Sequence, residues 1–244
     1  MAKKSRAKKA KGKSKREFRP FRWIFRWGIR GIALGFLVSV AVVVLWRFVN
    51  PPTTYYMSSE ARRLGGVDHS WVSMDEITPV VARSVVAAED ANFCLHWGFD
   101  VEAIRKVIEE GGSRGASTLT QQVVKNVFLW HGRSWVRKAL EAGLTPLVEA
   151  LWTKRRILEV YLNIAEFDTG VFGVEAAARH YFGVGPEALT PTQAARLAAI
   201  LPSPQKRSAS RPTAFVRKRA ASIRDGAATI MTDGRADCFQ IGNK

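Results

Sequence analysis

The residues of this chain best suited to chemistry lie in one short segment, residues 89–100, where a predicted helix ends. The members of this segment with chemical or conformational potential are Glu89, Asp90, Phe93, His96 and Gly98. An apolar run, residues 80–88, precedes Glu89, so its surroundings should exclude water and raise its pKa. Such a carboxylate can act as a general base near neutral pH. A Glu-Asp pair alone is more often a solvated helix end, so this prediction depends on the segments that follow.

A second segment, residues 115–126, opens with small and hydroxyl residues and continues as a predicted helix. A capped helix start of this kind presents free N–H groups and the positive end of the helix dipole to an anion. The candidate ligands for sugar hydroxyls and phosphate are Ser117, Thr118, Gln121, Gln122, Lys125 and Asn126. The alternative is a purely structural cap, which is the commoner role of such a pattern.

A third segment, residues 133–141, contains Arg133, Lys138 and Glu141. Lys138 and Glu141 are three positions apart and therefore neighbours on a helix, as are Arg137 and Glu141 at four positions. An isolated set of this kind is usually a surface ion-pair network of little energetic value. A fourth segment, residues 154–163, alternates charged and apolar residues and indicates packing.

The net charge of +17 suggests a nucleic-acid binder until its distribution is considered. Residues 1–30 contain thirteen Lys or Arg and one Glu, which accounts for +12 and leaves +5 for the rest of the chain. The basicity therefore belongs mainly to a tail, which is too charged to fold alone.

An uncharged stretch, residues 31–46, follows this tail. With its apolar flanks, residues 27–49, it reaches the roughly 20 residues that a bilayer core requires. The basic side should remain in the cytoplasm. A cleaved signal peptide is the alternative, but residues 45–48 are bulky and charged, which favours an uncleaved anchor.

The predicted organisation has five parts: a basic cytoplasmic tail (1–26), a transmembrane signal anchor (27–49), a linker (50–54), a catalytic domain (55–230) and a C-terminal tail (231–244). Helix signals dominate the domain, with predicted starts at Thr78-Pro79, Val101, Ser134, Thr153, Gly173 and Thr190-Pro191. Strand-type alternation is nearly absent, so the fold class is mainly α. Cys94 and Cys238 could pair in an oxidising compartment, but they fit no metal-ligand spacing and we assign them no role.

Four motifs occur in one order: Glu-Asp-x-x-Phe-x-x-His-x-Gly, Ser-Thr-x-Thr-Gln-Gln, Arg-Lys-x-x-Glu and Ile-Leu-Glu-x-Tyr-Leu-Asn. In order and spacing they resemble the peptidoglycan glycosyltransferases of family 51, over about residues 51–201. This resemblance implies a lysozyme-like, all-helical glycosyltransferase domain after the transmembrane helix. It makes Asp90, Phe93, His96 and Gly98 the supporting frame of the site.

The resemblance also implies a reaction, the polymerisation of lipid II with inversion and release of undecaprenyl pyrophosphate. Glu89 would be the general base, and Lys125, Arg133 and Lys138 would meet the pyrophosphate. Glu141 would orient the donor through these cations or through a divalent ion. The sequence requires no cofactor, although Mg²⁺ or Mn²⁺ at the pyrophosphate is compatible with this scheme.

The expected partners are lipid II, the growing lipid-linked glycan, the bilayer and other proteins of cell-wall synthesis or division, with no nucleic acid. The expected location is the inner membrane, with the N-terminus in the cytoplasm and the catalytic domain outside it. The aromatic segment 127–135 is expected to enter the membrane surface.

Two other functions are compatible with parts of the sequence. A lysozyme-like hydrolase or lytic transglycosylase also uses a helical domain with an essential Glu. A non-enzymatic membrane-anchored scaffold or nucleic-acid binder would depend on the basic tail, which lies on the opposite side of the anchor from the predicted domain.

Overall fold

A computed structural model of the chain describes residues 20–111, 115, 117–132 and 134–240. Arg133 and most of the predicted basic tail, residues 1–19, lie outside the described residues. The chain divides into two compact units, Met1–Val42 and Val43–Lys244. The predicted site residues that the structure describes all belong to the larger unit.

Helix α1 spans Pro20–Phe48 and contains the predicted anchor. At about 1.5 Å per residue, a helix of 29 residues exceeds the roughly 30 Å of a bilayer core. Within the described residues it is the one helix that is long and apolar enough to cross a membrane, and very little of its apolar window is covered by protein. It extends beyond the predicted span at the N-terminal end.

The larger unit is built mainly of helices, as predicted. Its helices are α2 (Tyr55–Leu64), α3 (Pro79–Glu89), α4 (Val101–Glu109), α5 (Leu119–Phe128), α6 (Trp135–Leu151), α7 (Lys154–Ile164), α8 (Val174–Phe182), α9 (Pro191–Ile200) and α10 (Ala214–Thr232). Short 3₁₀ turns lie at Pro186–Ala188 and Pro204–Lys206.

Hydroxyl caps begin several of these helices where the sequence predicts them. The side chains of Ser134, Thr153 and Thr190 accept hydrogen bonds from backbone N–H groups in the first turns of α6, α7 and α9. Helix α3 begins at the predicted proline, although Thr78 makes no side-chain cap there. These local signals work because each satisfies backbone donors that the helix itself leaves free.

The described residues also form three short strands, which were not predicted. They are β1 (Asp68–His69), β2 (Glu166–Asp168) and β3 (Val171–Phe172), in the order β1-β3-β2. Strand β1 runs parallel to β3, and β2 runs antiparallel to it. Strands of two or three residues are too short to produce an alternating pattern, so the sequence has no signal for them.

The core is organised around α7, whose residues from Ile157 to Ile164 are buried with the exception of Glu159. A helix whose last two turns are buried on nearly every side lies at the centre of its domain. Helix α9 presents four fully buried alanines, and these small side chains allow α3 and α10 to pack closely against it. The helix that carries Glu89 is therefore held on rigid neighbours.

The segment after α10, which the sequence assigned to a tail, packs against the domain as far as Gln240. Cys238 forms a disulfide bond with Cys94, and Phe239 is fully buried beside Phe93, with 6.4 Å between the ring centroids. The Gln240 side chain donates to the carbonyl oxygen of Pro79 at the start of α3. This segment thus holds α3 and the loop after Glu89 together.

Candidate active site

Glu89 is the last residue of α3, and its side chain is only 14% exposed. Its Oε2 accepts a hydrogen bond of 3.1 Å from Nε2 of Gln122 on α5. Burial raises the pKa of Glu89, while the Gln122 hydrogen bond and the charges of Arg219 and Lys125 lower it in part. The carboxylate therefore has the elevated basicity that the sequence predicts.

Asp90, which follows Glu89 in the chain, joins three parts of the frame. Its Oδ1 lies 2.8 Å from Nε2 of His96, and its Oδ2 accepts a hydrogen bond of 3.0 Å from the backbone N–H of Leu119. Both carboxylate oxygens are thus occupied, in a buried position. Asp90 consequently fixes the start of α5 relative to the end of α3, which agrees with a supporting role.

His96 extends this frame through its backbone. Its carbonyl oxygen accepts a hydrogen bond from Nζ of Lys154, which also binds Oε1 of Glu149. The same Glu149 oxygen accepts from the Thr120 hydroxyl at 2.5 Å. The Lys154 ammonium lies 4.4 Å from the centre of the buried Phe93 ring. A buried charge is tolerable here because it is paired and hydrogen-bonded.

Gly98 closes the loop at a point where a larger residue does not fit. Its φ is +83°, and a Cβ atom there would lie 2.6 Å from Cγ2 of Thr145 and 3.0 Å from Cγ of Glu149. Its carbonyl oxygen accepts a hydrogen bond of 2.7 Å from the Thr118 hydroxyl. Gly98 therefore allows the loop to come close to both α6 and the start of α5.

Helix α5 separates the predicted ligands into two groups. Thr118 and Gln121 form a reciprocal capping box and are buried, so the structure gives them a structural role. Ser117 is exposed, and Gln122 contacts Glu89. Oδ1 of Asn126 is buried without a hydrogen-bond partner among the described residues.

Glu141 lies on α6 and is 3% exposed. Its Oε2 accepts from Arg137 at 2.9 Å, and its Oε1 accepts from Lys138. Burial lowers the pKa of Lys125 on α5. Glu141 opposes this effect in part, and the neighbouring Arg137 and Lys138 add to it. The predicted Lys125, Lys138 and Glu141 are therefore brought together. Of these three, Lys125 also acts electrostatically on Glu89, whose pKa it lowers.

Several functional candidates carry no clear signal in the sequence. Arg137, predicted only as a neighbour of Glu141, is a member of the cation cluster. Tyr161 donates to Oε1 of Gln122 at 3.4 Å, in a motif interpreted as packing. Arg219 on α10 lies 4.0 Å from Oε1 of Glu89. Arg219 had no local signal, because it follows two exposed cations, Arg217 and Lys218, from which the sequence does not distinguish it.

One group of side chains near the site has the residue types of a metal centre. Ligand atoms of Asp90, His96 and Asp100 lie within 4.8 Å of one another. Asp100, however, caps α4 by accepting from the backbone of Ala103, and both Asp90 oxygens are already bound. The two carboxylates are therefore engaged in structural hydrogen bonds.

A cavity of about 220 Å³ lies beside the end of α3. Its lining includes Glu89, Asn92, Asp100, Ser117 and Thr118. The Glu89 carboxylate therefore makes a buried hydrogen bond to Gln122 and also lines an open cavity. A partly buried base next to a polar cavity, with a separate cation cluster on α5 and α6, is suited to deprotonating a hydroxyl and stabilising an anionic leaving group.

Residues 58–228 match the family model described as Transglycosylase. The chain belongs to this family, and it is a peptidoglycan glycosyltransferase of cell-wall synthesis. This is the first of the functions that the sequence allowed, and neither the scaffold nor the hydrolase.

The particular relatives are proteins named biosynthetic peptidoglycan transglycosylase. One from Jannaschia sp. (strain CCS1) is 61% identical over 215 residues, covering 88% of this chain and 90% of the relative. One from Caulobacter vibrioides is 50% identical, covering 83% and 92%. One from Pseudomonas aeruginosa is 50% identical, covering 84% and 90%.

Gly98→Ala should lower the free energy of unfolding by about 2 kcal/mol or more, because it combines a positive φ with a steric clash. Adding Thr145→Ser removes the nearest methyl group and should recover part of the loss. Gly143→Ala on α6 is the matched control, since a Cβ atom added there would meet nothing within 4 Å. Denaturant unfolding measures all three, and a Gly98→Ala variant as stable as the wild type would contradict the proposed packing.

Proposed function

We propose that the chain polymerises lipid II, with Glu89 as the general base. The carboxylate accepts the proton of the acceptor's N-acetylglucosamine 4-hydroxyl. The freed oxygen attacks the anomeric carbon of the lipid-linked donor with inversion. The bond from that carbon to phosphate breaks, and undecaprenyl pyrophosphate leaves with the electron pair. The observation that carries this proposal is the partly buried Glu89 carboxylate, with its raised pKa, on the wall of a cavity.

The leaving pyrophosphate is proposed to meet the cations of α5 and α6. Lys125, Arg137 and Lys138 concentrate positive charge beside one another, and Glu141 holds two of them by ion pairs. Burial lowers the pKa of Lys125, an energetic cost that an approaching anion would relieve. Arg133 remains a proposed member of this group.

A divalent cation is not needed to supply this charge. Both oxygens of Glu141 are already bound by Arg137 and Lys138, so this carboxylate is not free to provide the oxygen ligands that Mg²⁺ or Mn²⁺ prefers. The cluster does not fit a protein-bound metal ion, and we assign no step to one. Glu141 is instead proposed to orient the two cations toward the donor.

The α1 helix is proposed to anchor the enzyme in the inner membrane, with the N-terminus in the cytoplasm and the catalytic domain outside. Support comes from the length and apolarity of the helix and from the basic residues that precede it. The Cys94–Cys238 disulfide also agrees with an oxidising compartment for the domain. Lipid II and the glycan are the proposed partners there, and association with other wall-synthesis proteins remains a proposal.

Purified full-length chain supplied with lipid II alone should make long glycan and should leave preformed strands uncut. Glu89→Gln should abolish polymerisation, and Glu141→Gln should reduce it about 100-fold, the scale of losing one preorganised electrostatic group. The matched control is Glu175→Gln, which likewise removes a Glu paired with an Arg four positions away, but on α8 and not on the helices of the cluster. Polymer made by Glu89→Gln at the wild-type rate, or shortening of preformed strands, would refute the proposal.

The aromatic segment after α5 is proposed to contact the membrane surface. Within it His131 stacks on Tyr56 with ring centroids 3.9 Å apart, whereas Trp130 is partly exposed and Trp135 is 90% exposed. Val136 at the start of α6 is exposed as well. One aromatic residue therefore anchors the segment while others remain available to lipid.

Trp130→Asp should weaken liposome binding of the compact unit, residues 43–244, and slow lipid II turnover. The reason is that a carboxylate is poorly accommodated at the headgroup level of an anionic membrane. Co-sedimentation with vesicles measures binding, and Phe215→Asp, at an exposed position on α10, is the matched control. Unchanged binding and unchanged turnover in Trp130→Asp would rule out the contact.

A further inference from the structure

Arg219 is the charged residue near Glu89 that the four motifs do not include. It lies on α10, and its guanidinium nitrogen is 4.0 Å from Oε1 of Glu89. The other carboxylate oxygen, Oε2, is bound by the neutral amide of Gln122. The two oxygens of Glu89 therefore face different groups, an amide on one side and a cation on the other.

The position of Arg219 is set by the packing of α10 on α3. A Cβ at Gly226 would lie 3.4 Å from the Cβ of Ala87, so the two helices are in close contact just before Glu89. The Arg219 guanidinium also donates to the carbonyl oxygen of Ala88 at 3.4 Å. A cation is favoured at this place because the C-terminal end of a helix has negative character.

The segment that follows α10 reinforces this arrangement. Arg235 donates to the carbonyl oxygen of Ala91, two residues beyond Glu89, at 3.2 Å. The disulfide between Cys94 and Cys238 fixes the same loop a few residues further on. Helix α10 contacts the chain just before Glu89, and the segment after α10 contacts it just after Glu89, so the position of Arg219 is fixed from both sides.

Other titratable or charged groups that face Glu89 come from three elements. Asp90 follows it in the chain and raises the pKa of Glu89, Lys125 on α5 lowers it, and the neutral Tyr161 lies on α7. The effect of Arg219 on Glu89 exceeds that of Lys125. Lys125 belongs to the cluster proposed to bind the pyrophosphate. Arg219 is therefore the cation that can stay beside the Glu89 carboxylate during the reaction.

We propose that Arg219 is a positioning residue for glycosyl transfer, whose guanidinium keeps the Glu89 carboxylate ionised and oriented for the acceptor hydroxyl. The proposal rests on the proposed role of Glu89 as base. At 4.0 Å and with 32% of its side chain exposed, Arg219 forms only a moderate ion pair. The carboxylate therefore remains basic enough to accept the proton. When Glu89 accepts the proton and becomes neutral, the hydrogen bond from Arg219 to the Ala88 carbonyl oxygen is retained. Arg219 takes no part in making or breaking covalent bonds.

The test is the pH dependence of kcat/KM for lipid II polymerisation by the full-length chain. In Arg219→Gln the acid limb should move upward by about one pH unit, the low end of the effect of a nearby opposite charge. At pH values below the limb, this shift lowers kcat/KM about tenfold, and KM should change little. Arg219→Lys should restore at least half of the displacement. Lys218→Gln, which removes an exposed positive charge from the neighbouring position, should leave the limb unmoved.

An acid limb of Arg219→Gln at the wild-type pH would overturn the proposal, whatever happens to the absolute rate. Should Arg219→Gln fail to fold, Arg219→Met keeps the apolar stem and gives the same test. Glu89→Gln separates the two ideas. If Glu89→Gln has the wild-type pH profile, Glu89 is not the base and both proposals fail. If Glu89→Gln is inactive and the acid limb of Arg219→Gln is unmoved, only the proposed role of Arg219 fails.

Discussion

A carboxylate that is kept from water holds its proton more tightly, and the domain is arranged so that Glu89 is such a carboxylate. Its burial depends on α3 lying against α9 and α10, and on α5 covering the end of α3. The same burial would be costly if nothing compensated the charge. Gln122 and Arg219 supply that compensation from two different helices, so the position of the base requires that both helices be in place.

The charges of the site are separated by function. Around Glu89 the positive charge is limited, and burial dominates its pKa. On α5 and α6 the positive charge is dense, with Glu141 holding Arg137 and Lys138. A general base needs surroundings with little positive charge, so that its pKa stays raised, whereas a pyrophosphate leaving group needs a dense cluster of cations. Asp90 keeps the two environments in register, because it binds the N-terminus of the helix that carries Lys125.

Local signals predicted much of this structure. The capping residues Ser134, Thr153 and Thr190 marked helix starts correctly because a cap depends on only a few neighbouring residues. The motifs pointed to Glu89 and Glu141, which are two largely buried carboxylates, each with a cationic neighbour. Thr118 and Gln121 have the hydrogen bonds of a structural cap, the alternative that the sequence alone left open.

The remaining features depend on contacts between distant parts of the chain. Arg219 approaches Glu89, and Cys238 pairs with Cys94 across 144 positions, so no periodicity or spacing predicts either contact. Helix α10 was not identified because its many charged residues weaken the apolar pattern. The requirement for glycine at position 98 likewise depends on Thr145, a residue of another helix.

The central claim is that the buried Glu89 carboxylate is the group whose ionisation controls the reaction. Carbon-13 NMR titration of the full-length chain measures this ionisation directly, using the signal that is missing from Glu89→Gln. We expect its midpoint to lie above the usual value of 4.5 and to coincide with the acid limb of kcat/KM for lipid II polymerisation. A midpoint at or below the usual value, or an acid limb that follows a different group, would contradict the account.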